Sequence, residues 1–191
     1  MSASQQQSSS QTPSQTVGPY FAMGMVLEPE HIMVNDQTQG ERISITGQVL
    51  DGDGVPVIDA LVEIWQPDAS GIFDHPKDPN RANFDPNFTG FGRSKTEENG
   101  LFRFETVKPG AVGNSAPYIN ARVFSRGMLI HAVTRIYFSD ESANESDPVL
   151  GSIPSERRST IIAQRSADNG IVIYQYDINL QGENENVFFD V

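Results

Sequence analysis

The chain contains no cysteine. That excludes disulfides, thiolate metal ligands and a cysteine nucleophile, and it suits a reducing compartment. Cations are scarce as well: Lys and Arg number 13 against 25 Asp and Glu, for a net charge of −12. Nucleic acids and anionic membrane surfaces are bound through clustered Lys and Arg, so neither is an expected partner. No segment approaches the roughly 20 apolar residues of a membrane-spanning helix. The opening MSASQQQSSSQ has neither a basic start nor an apolar run and does not read as a secretion signal. A cytoplasmic protein is the expectation. Histidine is sparse too, and His31, His75 and His131 lie far apart. None has the His-x-His or His-x3-His spacing that puts two imidazoles on one face of a strand or helix. All three read as isolated surface or core residues.

What the chain does have is a strand pattern. Its 191 residues suit one domain with a hydrophobic core. Residues 1–11 are a Ser/Gln-rich tail with nothing to bury and are expected to be disordered. Residues 12–40 carry scattered apolar side chains (Phe21, Met23, Met25) without a period, and are expected to form an arm that contacts a partner. From residue 41 to 191 a sandwich is expected. Ile43, Ile45, Gly47 and Val49 alternate with Ser44, Thr46 and Gln48, as a strand with one buried face requires. Further strands are predicted over Leu61–Gln66, Leu101–Val107, Ile119–Phe124, Leu129–Phe138, Thr160–Arg165 and Ile171–Leu180. Asn99-Gly100 and Asn169-Gly170 are hairpin-type turn signals, because both residue types tolerate positive φ. Only one short helix is predicted, around Asp147–Ile153, stopped by Pro154. The sum is an all-β chain, an antiparallel β-sandwich with very little helix.

Motifs for chemistry are few. Asp51-x-Asp53 with Asp59 hints at calcium, but Val55 and Pro56 stand where a calcium loop needs an oxygen ligand and a glycine, so a turn is expected. There is no Gly-x-Ser-x-Gly elbow and no phosphate-cradling Gly-Lys loop. Because so acidic a chain can hold an anion only through a local cation, single arginines matter. Arg126, in FSRGM between two strands, is either a solvated turn residue or a cation aimed into a cleft. The residues themselves lead to a β-sandwich that serves as a binder or a subunit, and no further.

The stretch ITGQVLDGDGVPVIDALVEIWQPDASGIF (45–73) resembles the signature of the intradiol ring-cleavage dioxygenases, with Gly47, Gly54, Glu63 and Gly71 at matching spacing. The resemblance continues through DPNFTGFGR (85–93), TVKPG (106–110), APYINARVFSRGM (116–128) and INLQGENENVFFDV (178–191), and TPSQTVGPYF (12–21) is also similar. Catalytic members hold ferric iron with two tyrosines and two histidines. Here the corresponding positions are Phe73, Val112, Tyr118 and Asn120. Phe and Val cannot coordinate a metal, Asn is a poor ligand for ferric iron, and one phenolate is not a site.

The pattern resembles the iron-free alpha type found in two-chain, protocatechuate-cleaving members of the family. That resemblance implies no metal on this chain and Fe(III) held by a homologous beta subunit in an alpha–beta oligomer. It implies intradiol cleavage of protocatechuate with O2 to 3-carboxy-cis,cis-muconate, within aromatic catabolism by the beta-ketoadipate route. By position, Thr16, Gly18, Pro19, Tyr20 and Arg126 would be this chain's share of a substrate pocket completed by the partner. A stand-alone, non-catalytic binding module derived from the same fold is the alternative.

Overall fold

A computed structural model of the chain describes residues 15–18, 24–25, 30–168 and 170–190. The alternation seen from Ile43 onward is strand β1 (Arg42–Leu50), with Ile43, Ile45 and Val49 buried. It is followed by β2 (Leu61–Trp65), β3 (Phe91–Lys95), β4 (Leu101–Val107), β5 (Ile119–Phe124) and β6 (Ala132–Phe138). A short helix, α1 (Pro148–Ser152), then leads to β7 (Ile162–Asp168), β8 (Ile171–Gln175) and β9 (Ile178–Asn179). The strand order is β3-β2-β5-β6-β7-β8-β1-β4, with β9 pairing β1. The path narrows at β6–β7, where only Tyr137–Ile162 and Phe138–Ala163 pair. On either side of that link, β3-β2-β5-β6 and β7-β8-β1-β4 share one core built from Ile45, Val62, Ile64, Phe104, Ile119, Ile136 and Tyr174. The neighbours pair antiparallel except at β1–β8, β1–β9 and β6–β7, which are parallel.

The expected face of Val172, Tyr174, Tyr176, Ile178 and Leu180 packs inward as one row. The strand nevertheless breaks between β8 and β9, because this segment crosses over Gly47. The Tyr176 N–H donates to the Thr46 carbonyl. A Cβ at residue 47 would collide with the Tyr176 carbonyl oxygen, so the signature glycine is required for this crossing.

Several local readings are corrected. Strand β3 escaped prediction because Gly92 and two cations interrupt its alternation. Leu129 and Ile130, predicted as strand, lie outside β6 and are 66% and 80% exposed. The Asn99-Gly100 turn is tight, with Gly100 at φ +74°, but β3 and β4 on either side of it pair with different strands. It therefore carries the chain between the two halves of the sandwich instead of closing a hairpin. Gly170 does turn a hairpin, since Asp168 pairs with Ile171; Asn169 lies outside the described residues. The last part of the expected arm belongs to this chain's own core. Met33 is buried, and its N–H donates to Glu105.

The acidic turn after β1 needs no ion. Asp51 Oδ1 accepts from the N–H groups of Asp53 and Val55, an ordinary Asx arrangement.

Candidate functional site

Of the positions the resemblance matches to iron ligands, Asn120 lies on the face of β2 and β5 turned away from the main core, with Tyr118 just ahead of β5 and Phe73 in the loop after β2. On this face Trp65 pairs with Asn120, and Asn120 pairs with Arg135 of β6. The Asn120 amide donates to the Trp65 carbonyl at 3.3 Å. The Phe73 ring lies 4.5 Å from that of Trp65, and His75 meets the same indole edge-on at 6.0 Å. The Arg135 guanidinium sits 4.0 Å from the Tyr118 ring centroid, a cation–π contact. Arg135 also donates to the Tyr137 hydroxyl at 3.2 Å, and that hydroxyl donates to buried Asp147 at 3.1 Å. Val112 lies apart in the turn before β5, bridged to Ser115.

These residues do not fit a ferric ion. Two of the side chains are hydrocarbon, one is a carboxamide already bonded to backbone, and the lone phenol is covered by a fixed cation. Among the described residues no group of three or more His, Asp or Glu could hold a metal. His75 and His131 serve as packing rings, His131 lying 5.1 Å from Phe124.

Refitting two ligands should therefore fail. The double variant Phe73→Tyr/Asn120→His is expected to purify without stoichiometric iron and without tyrosinate-to-iron absorption. Val112 still supplies nothing, Arg135 remains as a competing positive charge, and the groups that orient ligands are missing. Elemental analysis finding one ferric ion per chain would overturn this.

Asp147 holds the same region together. Its Oδ1 accepts from the N–H groups of Val149 and Leu150, capping α1, and its Oδ2 accepts from Ala116 N–H just ahead of β5. Burial is the main cause that pushes the Tyr137 phenol up to about 12; the Arg135 bond and charge oppose it, and Asp147 reinforces it. Burial likewise raises Tyr176 to about 12, and raises Tyr174 further with help from Asp140. A phenol with a raised folded-state value keeps its proton longer in the fold than in the unfolded chain. Its contribution is therefore complete below pH 10 and is lost as pH climbs towards 12. For fully buried Tyr176 that contribution is on the order of 2–3 kcal/mol below pH 10. Alkaline titration followed by tyrosinate absorbance should show three of the five tyrosines ionising only as the chain unfolds. Smooth ionisation of all five while the fold persists would contradict it.

The second cluster lies at the other end of the same face. Leu61 pairs with Phe124, so two residues further out Asp59 comes opposite Arg126. The pair is joined, Arg126 Nε to Asp59 Oδ2, at 2.8 Å. The Arg126 turn is also held from the arm: Gly127, at φ +85°, donates its N–H to Thr16 Oγ1 at 2.9 Å. Asp59 and Arg126 line a groove of about 1250 Å³, rimmed by the exposed side chains of Val55, Ile58 and Ile130. Thr16 and Arg126 are thus brought together, with Gly18 nearby in sequence at φ +68°. Pro19 and Tyr20 lie outside the described residues. Six residues of strand separate the Asp59–Arg126 end from the Trp65–Asn120 end, roughly 20 Å.

Sequence reasoning missed Asp59 as a partner of Arg126, missed Arg135 altogether, and read Asp147 only as the start of a helix. The signal for Asp59 exists only once β2 is known to pair with β5. The signature Glu63 proves structural: nearly buried, it accepts from Arg93 Nε at 2.7 Å, and Arg93 in turn donates to the Met25 carbonyl. No helix among the described residues is long and apolar enough to cross a membrane.

Comparison with known proteins agrees with this architecture. A family model described as "Dioxygenase" matches residues 16–182. The protocatechuate 3,4-dioxygenase alpha chain of Burkholderia cepacia is 45% identical, over 95% of this chain and 98% of its own. The protocatechuate 3,4-dioxygenase beta chain of the same organism is 38% identical, over 78% of this chain and 68% of its own. Among solved structures, a dioxygenase domain from Streptomyces sp. SirexAA-E superposes with a TM-score of 0.64 at 22% identity, covering 90% of this chain and 98% of that one. That last likeness establishes the shared sandwich. With a family model matching most of its length and a near full-length relative of alpha type, the chain belongs to the intradiol ring-cleavage dioxygenase family.

Proposed function

We propose that this chain is the iron-free subunit of a two-chain protocatechuate 3,4-dioxygenase, acting in the cytoplasm, and that it completes the pocket of an iron-bearing beta chain. The observation that carries the reading is the separation along one sheet face. The positions for iron are filled by Phe73, Asn120 and the Arg135–Tyr118 stack, while a cation braced by Thr16 and Asp59 stands about 20 Å away beside an open groove. Arg126 is too far to serve this chain's own ancestral centre, but it is well placed to serve a centre brought by a partner. The exposed apolar rim suits an interface that buries such side chains on assembly.

In this arrangement the metal and the oxygen chemistry belong to the beta chain, and this chain contributes walls and charge. Arg126 supplies the cation for an anionic aromatic acid on an otherwise acidic subunit. Thr16 holds the Arg126 turn through Gly127. Gly18 and Pro19 add a backbone wall of little bulk, and Tyr20 an aromatic face.

Co-expression with candidate beta chains, followed by oxygen uptake on protocatechuate, is the direct test. Activity is expected only in the complex, and iron only where the beta chain is present, with the product 3-carboxy-cis,cis-muconate. A chain that stays monomeric and stable with every beta chain tried, and never restores activity, would instead be a binding module.

A further inference from the structure

The ion pair on Arg126 carries one step more. A long side chain at a turn, 61% exposed, samples many rotamers unless something holds it. Here the β2–β5 register places the Asp59 carboxylate directly across from it, and the contact is to Nε. Gripping Nε leaves the two terminal nitrogens of the guanidinium with no other partner among the described residues. Those nitrogens form the edge that binds a carboxylate through two parallel hydrogen bonds. Asp59 is itself only 22% exposed, and it sits two residues ahead of β2, so its own position is set by the sheet.

We propose that Asp59 is a positioning residue: it holds Arg126 by Nε so that the terminal guanidinium edge is presented to the carboxylate of the aromatic substrate. This rests on the assignment of Arg126 to the shared pocket. It adds a requirement on geometry, since the carboxylate of Asp59 also offsets part of the Arg126 charge. Were charge alone important, removing Asp59 would strengthen substrate binding. Because orientation is what Asp59 supplies, removing it should weaken binding.

The test is a double-mutant cycle on the assembled alpha–beta complex at matched iron content, comparing wild type, Asp59→Ala, Arg126→Ala and the double variant. Asp59→Ala is expected to raise KM for protocatechuate about three- to tenfold with kcat less affected. Asp59→Glu should recover part of the loss, and Asp59→Ala should add nothing once Arg126 is absent. If Arg126→Ala is impaired but Asp59→Ala behaves as wild type, or binds more tightly, positioning is overturned while the pocket assignment stands. If the two losses add, Asp59 acts by another route and the proposal also fails. If Arg126→Ala itself behaves as wild type, the pocket assignment fails and positioning falls with it.

Discussion

Arg126→Ala is expected to lower kcat/KM for protocatechuate about ten- to a hundredfold in the alpha–beta complex, as when a charged hydrogen-bond partner worth ~1.5–3 kcal/mol is lost. Assembly and iron content should be unchanged. The turn that carries Arg126 is held by backbone and by Thr16, and the side chain lies on the surface, so its removal leaves no cavity in the core. The pairing with Asp59 is not itself a large stabilising term, because exposed ion pairs contribute about 0–1 kcal/mol. Comparing substrates separates the possible roles. Catechol lacks the ring carboxylate, so a carboxylate-binding Arg126 should matter much less for it. An arginine that instead orders water or assists oxygen attack should harm both substrates alike. Wild-type kcat/KM for protocatechuate in the variant complex would return Arg126 to the standing of a solvated turn residue.

The largest effect on stability is expected at Asp147. Replacing it by alanine removes the cap of α1, which is worth about 1 kcal/mol. It also strands the Ala116 N–H and the Tyr137 hydroxyl, both in buried surroundings, at about 1–3 kcal/mol each. Together these give a loss on the order of 3–7 kcal/mol, large enough to threaten a marginally stable fold. Asp147→Asn should lose less, because its carbonyl oxygen still accepts while its amide cannot accept from Ala116. Urea unfolding of the three proteins measures this directly. A shift under about 1 kcal/mol for the alanine variant would show that water replaces the lost bonds and that the network is not the tether described. Tyr137 and Ala116 bracket the start of β5, and β5 ends just before the Arg126 turn.

The elements that were legible along the chain share a cause: their information is local. Period-two alternation in β1, β4 and β5, the Pro-stopped helix, the Asx turn at Asp51 and the positive φ at Gly100 and Gly170 all depend on residues a few positions apart. The disqualification of Phe73, Val112 and Asn120 as iron ligands was equally plain, since it follows from side-chain chemistry and no fold can reverse it. The face shared by Tyr174, Tyr176 and Ile178 was also readable, although not the crossing at Gly47 that splits it into two strands.

Other features depend on which strands become neighbours, and spacing along the chain is silent about that. Asn99-Gly100 has the composition of a hairpin, yet the turn joins the two halves of the sandwich, because β4 finds β1 and β3 finds β2. The parallel ladders at β1–β8 and β6–β7 arise the same way. Asp59 and Arg126 are 67 positions apart and meet only through the β2–β5 register. Arg135 reaches Tyr118 only because β6 lies beside β5. Chemistry at each position was settled by residue type; the juxtapositions that give those residues work to do were settled by strand pairing across the whole chain.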